Sequence, residues 1–302
     1  MHLGRYLRDP ARIVHKLRWR LLYTGPRRDV TVDSYNGRLT FDSRDKLIGK
    51  YLYLDRAYER RYIESALAVL ERDGFLARDG SGLVLDVGAN IGMICIALVR
   101  HGWFGGAVAF EPAPGNARLL RHNVDQNGLR DRIRVVQAAL SARPGELALE
   151  LSEYNSGDNR IRVLDGRGAG GGGGGGAWNE DRRAVVRVPV RALDEALDDM
   201  GVDPSAVRLA WVDIQGHEGR FFEGARATIA RGVPVVSEFW PYGILRSGML
   251  RSEYVRVVEE LFTHFYHLGD DGVEKRPIAE VDALFDAYRA PKQMCEVIFV
   301  RR

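Results

Sequence analysis

Apolar residues recur along this chain in two rhythms. Short apolar runs at Leu83–Val87, Ala107–Phe110, Ile133–Gln137, Ala184–Val190, Leu209–Asp213, Val233–Phe239 and Cys295–Val300 read as strands, with a further short one at Glu146–Leu151. Between them, apolar residues fall at helical spacing. These stretches are Met93–His101, Asn116–Asn127 with Leu119, Leu120 and Val124 on one face, Leu193–Met200, about Glu218–Ala230, and Tyr254–Phe265. Strands alternating with helix-length segments predict an α/β fold, a doubly wound and mainly parallel sheet with helices on both faces. Upstream, Val30–Tyr35 and Arg38–Phe41 flank Asn36-Gly37, which predicts a hairpin closed by a two-residue type I′ turn. A helix over Leu54–Arg72, with Tyr58, Tyr62, Ile63, Ala66, Leu67 and Leu70 on its apolar side, should cover the site or pack on the sheet.

Two segments depart from this rhythm. Residues 1–26 read as a basic amphipathic helix with Pro10 near its start. Leu3, Leu7, Ile13, Val14, Leu17, Leu21 and Leu22 are interleaved with Arg5, Arg8, Arg12, Lys16, Arg18 and Arg20. That pattern suits an arm packed on its own domain, a contact making a homo-oligomer, or a helix lying on a membrane surface. Ser152–Asp181 contains the glycine run Gly170–Gly176, whose backbone has no side chains to anchor it, and reads as a flexible lid or inert insertion. The organisation is therefore an extension over 1–78 (helix, hairpin and cover helix) and a ligand-binding domain over 79–302 with an insertion at about 152–182.

The first strand carries candidate chemistry. It ends Asp86-Val87-Gly88-Ala89-Asn90-Ile91-Gly92 and leads into a helix, and the next strand ends at Glu111. A strand, glycine turn, helix, strand and carboxylate is the layout that holds a nucleoside-bearing cofactor at the edge of a parallel sheet. The glycines are expected to let backbone approach the ligand, and Glu111 to accept hydrogen bonds from the ribose hydroxyls. The spacing is Asp-x-Gly-x-x-x-Gly, not the Gly-x-Gly-x-x-Gly of dinucleotide sites, and Asp86 would repel a phosphate. S-adenosylmethionine fits instead, with a cationic methionine end and no phosphate.

A second constellation is Asp213-Ile214-Gln215-Gly216-His217-Glu218, where a buried strand meets a helix. Asp86, Glu111, Ser141, Asp213 and Glu238 are all expected at strand ends on one rim of one sheet, where ligands bind in open α/β folds. Asp213, His217 and Glu238 are the candidates to take a proton from an acceptor. Tyr154, Trp240 and Tyr242 are candidates to face it. Asp213 and Glu238 could instead hold a divalent cation that acidifies a diol, but two carboxylates without a third firm ligand favour the metal-free reading. A nucleoside-binding module without catalysis is an alternative. A nicotinamide oxidoreductase lacks its phosphate-binding motif here.

Composition narrows the setting. The net charge is +3 over 302 residues, and this near balance does not argue for nucleic acid. The chain has no apolar run long enough to span a bilayer and no secretory signal at its start. Its two cysteines, Cys95 and Cys295, sit in apolar segments and read as buried thiols, for which a reducing cytoplasm is the simplest compartment.

Several motifs now occur in order: Val87–Gly92, Phe110-Glu111-Pro112 with Asn116 after it, Ala139-Leu140-Ser141, Leu193-Asp194, and Val212–Glu218. As a set they resemble the FkbM-type methyltransferases, a branch of the adenosylmethionine-dependent class, over roughly residues 30–300. The resemblance implies a seven-stranded sheet and methyl transfer to a hydroxyl oxygen, commonly of a sugar or decorated natural product. It implies cofactor contacts at Asp86, Gly88, Asn90, Gly92, Glu111, Asn116, Ala139 and Ser141. One position departs from it. Gln215 stands where the family usually has Glu, which weakens any role for that carboxylate.

Overall fold

The structure, a computed structural model, describes residues 10–162, 182–269 and 272–302. The remainder of the basic segment and the glycine run lie outside the described residues. The N-terminal part forms α1 (Pro10–Thr24), β1 (Asp29–Ser34), β2 (Gly37–Asp42), α2 (Ile48–Asp55) and α3 (Arg60–Arg72). The next units are β3 (Leu83–Val87), α4 (Met93–Arg100), β4 (Gly106–Phe110), α5 (Pro114–Gln126) and β5 (Ile133–Val136). They are followed by β6 (Ala139–Leu140), β7 (Gly145–Leu151), β8 (Arg160–Arg162) and β9 (Ala184–Arg191). The C-terminal half adds α6 (Leu193–Asp199), β10 (Val207–Val212), α7 (Glu218–Gly224), α8 (Arg226–Ile229) and β11 (Val235–Phe239). It ends with α9 (Pro241–Arg246), α10 (Arg251–Leu261), β12 (His264–Gly269), β13 (Gly272–Pro277), α11 (Val281–Ala287) and β14 (Cys295–Val300).

The main sheet runs β13-β12-β14-β11-β10-β3-β4-β5. The five strands from β11 to β5 are parallel, and β14, β12 and β13 add antiparallel pairs at one side. This is the doubly wound α/β architecture expected, with eight strands rather than seven. Strand side chains alternate between two apolar layers, as the pleat requires. Val84 joins the layer made by α3, α4 and α5, and Leu85 and Val87 join the layer made by α6, α7, α10 and α11. Residues of α1, β2 and α2 belong to the first layer, so the N-terminal segment shares its core with β3 and α4. Among the described residues, no helix is long and apolar enough to cross a membrane.

Four expectations need correction. First, β7 and β9 leave the main sheet and form a second one, ordered β6-β9-β7-β8. In β9 only Val188 and Val190 are buried while Val185 is exposed. That alternation belongs to a sheet with one covered face, whereas interior parallel strands are covered on both. Second, the stretch expected as one helix over 54–72 holds only the end of α2 and then α3 from Arg60, broken where Arg56 and Glu59 take left-handed backbone at φ +54° and +52°. Third, the helix expected over 218–230 is interrupted at Ala225, after Gly224 packs so closely on the Ser141 carbonyl that a Cβ would lie 2.1 Å from it.

Fourth, the hairpin turn is not type I′. Ser34 pairs with Gly37, so Tyr35 and Asn36 form the turn, and neither has positive φ. Asn36 is fully buried and committed elsewhere. Its amide donates to the Tyr58 and Met93 carbonyls at 3.1 Å each, and its carbonyl accepts the Tyr58 N–H at 2.8 Å. Gly37, at φ +119°, absorbs the left-handed geometry.

Candidate active site

The carboxyl ends of β3, β4, β10 and β11 open into a cavity of about 650 Å³. It lies where the strand order reverses between β3 and β10, the switch point at which such sheets bind ligands. Among the predicted site residues, Asp86, Gly88, Asn90, Glu111, Asn116, Ala139, Tyr154, Asp213, His217, Glu238 and Trp240 line it. Gly92, Ser141 and Tyr242 do not. A Cβ at Gly92 would lie 2.7 Å from Leu120 and 2.8 Å from Ile96, so that glycine serves helix packing. Ser141 follows β6, in the second sheet, and is not on the rim of the main one. Tyr242 packs against Trp240 with the rings tilted at 42° and 5.4 Å between centroids.

One wall is built from β3 and β4. Asp86 Oδ2 accepts the Cys95 N–H at 2.9 Å, at the first turn of α4, where a carboxylate is favoured by the helix dipole. Burial nonetheless raises its pKa to about 6. Glu111 accepts N–H bonds from Asn90 and Ala113, both at 2.8 Å, one on each oxygen. Those bonds fix the carboxylate while burial pushes its pKa up to about 8. Asn90 reaches its place through left-handed backbone, φ +52°. Gly88 does more than leave room for a ligand. A Cβ there would lie 1.9 Å from the Asp213 carbonyl oxygen, so this turn is pressed against the opposite wall.

That opposite wall is a set of acids around one amide. Gln215, at φ +56°, donates its Nε2–H to Asp213 at 2.7 Å and to Glu238 at 3.3 Å. Glu238 on β11 stands directly across from Glu296 on β14 in the sheet register. Burial, and then the charge of Asp213, raise the affinity of Glu238 for a proton, and Glu296 and Asp213 are raised by burial first as well. Glu59 borders the same cavity, and its carboxyl is also raised. Among the described residues no group of three or more His, Cys, Asp or Glu side chains is arranged to hold a metal ion.

His217 and Glu218 have different surroundings. His217 Nε2 bonds Ser141 Oγ at 2.9 Å, its Nδ1 is buried without a partner, and burial lowers its pKa to about 4. Glu218 accepts the N–H groups of Ile214 and Gly216 at 3.2 Å each and so closes the loop from inside.

A third wall comes from residues 154–161. Ser156 donates its N–H and hydroxyl to Asp45 Oδ2 at 2.9 and 2.6 Å, and Asn116 donates to the Ser156 carbonyl at 3.0 Å. The Lys46 ammonium lies 3.7 Å over the Tyr154 ring, and the Arg160 guanidinium 4.5 Å over Trp240. Trp240 is buried, with its indole N–H on the Pro291 carbonyl at 2.8 Å.

Sequence reasoning missed Glu59, Glu296, Lys46, Asp158 and Arg160, all of which line the cavity. Glu296 carried a signal, since it is an acid inside an otherwise apolar terminal run. Glu59 carried none, because nothing local marks the break before α3.

The methyltransferase FkbM domain model matches residues 86–282. A 2-O-methyltransferase, NoeI of Sinorhizobium fredii, is 25% identical over 158 residues, which are 52% of this chain and 63% of that relative. The match thus spans less than two thirds of the relative's length. A solved methyltransferase FkbM from Methylobacillus flagellatus aligns with TM-score 0.41 and 18% identity over 76% of this chain and 46% of its own. A solved O-methyltransferase from Klebsiella pneumoniae, itself described as provisional, aligns at TM-score 0.41 and 10% identity over 80% and 81%.

Proposed function

Because the chain belongs to the FkbM methyltransferase family, we propose that it transfers a methyl group from S-adenosylmethionine to a hydroxyl of a small acceptor, a sugar or natural product. One observation carries this reading. A single cavity has a backbone-pinned nucleoside-type carboxylate, Glu111, on one wall and a carboxylate–amide–carboxylate group, Asp213–Gln215–Glu238, on the other.

The residues present suit that cofactor. Each Glu111 oxygen accepts one backbone N–H, Asn116 lies beside it as a further hydrogen-bond partner, and the carboxyl borders the cavity, which suits ribose hydroxyls. Asp86 adds negative charge to the same wall, where a cationic methionine end would lie. When bound, S-adenosylmethionine supplies an activated methyl group and a neutral leaving group.

The chain's own task is to orient an alcohol and remove its proton. Asp213 is the proposed acceptor of that proton. Gln215 donates to both Asp213 and Glu238, so it fixes their spacing without adding a further negative charge. The acids' raised proton affinity makes them stronger bases than an ordinary carboxylate, though they lose more of the ionised form as pH falls. Burial lowers the His217 pKa to about 4, so it is a weak base, and it is proposed to hold the loop against Ser141. Tyr154 and Trp240 border the cavity on the side proposed for the acceptor, each with a cation, Lys46 or Arg160, over its ring.

Equilibrium titration with S-adenosylmethionine and, separately, NAD tests the reading. Binding of the first alone is expected. Binding of NAD, or of neither, would overturn it.

A further inference from the structure

Helix α1 is apolar on two opposite sides. On the inner side Trp19 is buried, with its ring 6.3 Å from Phe41 and 5.5 Å from Tyr53, and His15, Leu22 and Tyr23 are half-buried beside it. On the outer side Ile13, Val14, Leu17 and Leu21 are 43%, 46%, 56% and 71% exposed. Ile13, Leu17 and Leu21 are spaced by four and so form one stripe. At 100° per residue, Lys16 and Arg20 border one edge of the stripe and Arg18 the other. No Asp or Glu occurs from Pro10 to Arg28. Burial of Trp19 holds the helix on the body, so the outer stripe is presented by a folded platform.

We infer that this outer face of α1 docks the protein on an anionic bilayer surface. The occupant follows from charge. A second copy joined through the same stripe would set bases against bases, because a two-fold contact pairs each patch with itself. An anionic lipid surface complements both the apolar stripe and its basic borders. The helix has 15 residues, about 22 Å at 1.5 Å each, too short to span a bilayer, so it lies in the interface. None of its residues lines the cavity, so docking leaves the site open.

Co-sedimentation of the full chain with lipid vesicles tests this. Retention is expected on phosphatidylcholine vesicles containing phosphatidylserine, with little on phosphatidylcholine alone, and high salt should release the protein. The double variant Leu17→Asp, Leu21→Asp should lower partitioning more than about tenfold. The pair Arg18→Glu, Arg20→Glu should lower it by at least about fivefold per charge. All four side chains are exposed, so melting temperature should not move, and the charge pair remains informative if the leucine pair misfolds. Absence of retention, equal retention on neutral vesicles, or a dimer in sedimentation equilibrium that Leu17→Asp and Leu21→Asp disperse would each overturn the inference.

Discussion

The two facing walls of the cavity use the same residue type in opposite ways. On the β3–β4 side, Asp86 and Glu111 each rest on backbone N–H groups, one for Asp86 and two for Glu111. On the β10–β11 side, Asp213, Glu238 and Glu296 face one another, with one amide, that of Gln215, between the first two. Backbone donors do not titrate or rotate, so the first arrangement gives a fixed geometry suited to recognising an invariant ligand. Burial raises the proton affinity of the acids on both walls, and on the second wall the neighbouring carboxylates add to it, which suits the proposed proton acceptor. The two walls, proposed to bind and to react, thus differ in what partners each acid: backbone N–H groups on one, a side-chain amide and other carboxyls on the other.

Substitutions should separate the walls. The largest effect is expected from Asp213→Asn, which removes the proposed base. Turnover should fall by ~10²–10⁴, while S-adenosylmethionine affinity stays within a few-fold by calorimetry. Normal turnover would move the base to Glu238. His217→Ala should cost much less turnover than Asp213→Asn, and equal losses would assign His217 a direct part.

Glu111→Ala is the reverse case. It removes two hydrogen bonds that are charge-assisted once Glu111 is ionised, worth ~1.5–3 kcal/mol each, so above pH of about 8 affinity should fall at least tenfold in a protein that still melts cooperatively. Unchanged affinity in that variant would show that the first wall does not select the cofactor.

Proton linkage gives a smaller effect. Glu111 and Glu218 have folded pKa values of about 8 and about 7, against roughly 4.3 in an unfolded chain. Across that window the folded state holds more protons, so stability falls as pH rises. His217, near 4 when folded, acts in the opposite sense, but only up to its unfolded value of about 6.5. Between pH of about 6.5 and 8 the carboxyls alone act, and the ligand-free melting temperature should drop by on the order of a few degrees. Glu218→Gln should shrink that drop; a melting temperature that rises over this range would contradict the linkage.

The smallest effect concerns the pair across β11 and β14. Like charges directly opposite in a sheet cost ~0.2–1 kcal/mol. Glu296→Gln should therefore raise the melting temperature slightly at alkaline pH and not at acid pH. A loss of stability at both would mean that Glu296 is held by its neighbours rather than crowded by them.

Much of this site is legible in the amino-acid sequence. The strand, turn and carboxylate around Asp86, Gly88 and Glu111 are local, since the apolar run, the glycine and the acid are close in sequence and their geometry follows from it. Asp213 and Glu238 are legible for the same reason, because each lies at or near the end of a buried run. What stays hidden depends on contacts distant in sequence. Glu59 reaches the cavity because the chain breaks between α2 and α3. Glu296 matters because β14 pairs with β11. Asn36 gives up the expected turn because its side chain is claimed by Tyr58 and Met93. Ser141 reads as a rim residue because β6 ends before it, and nothing in its own sequence says that β6 belongs to another sheet.

The contact between Gly88 and Asp213 has a consequence for how such a chain can diversify. The Asp213 N–H donates to the Val87 carbonyl at 2.9 Å, and a Cβ on Gly88 would strike the Asp213 carbonyl. The loop proposed to act on the acceptor is therefore fastened, backbone to backbone, to the turn proposed to receive the methyl donor. Alignment of the two does not depend on any side chain that faces the acceptor. The wall at 154–161 can then drift in sequence, admitting new acceptors over evolutionary time, while the reactive line stays in register.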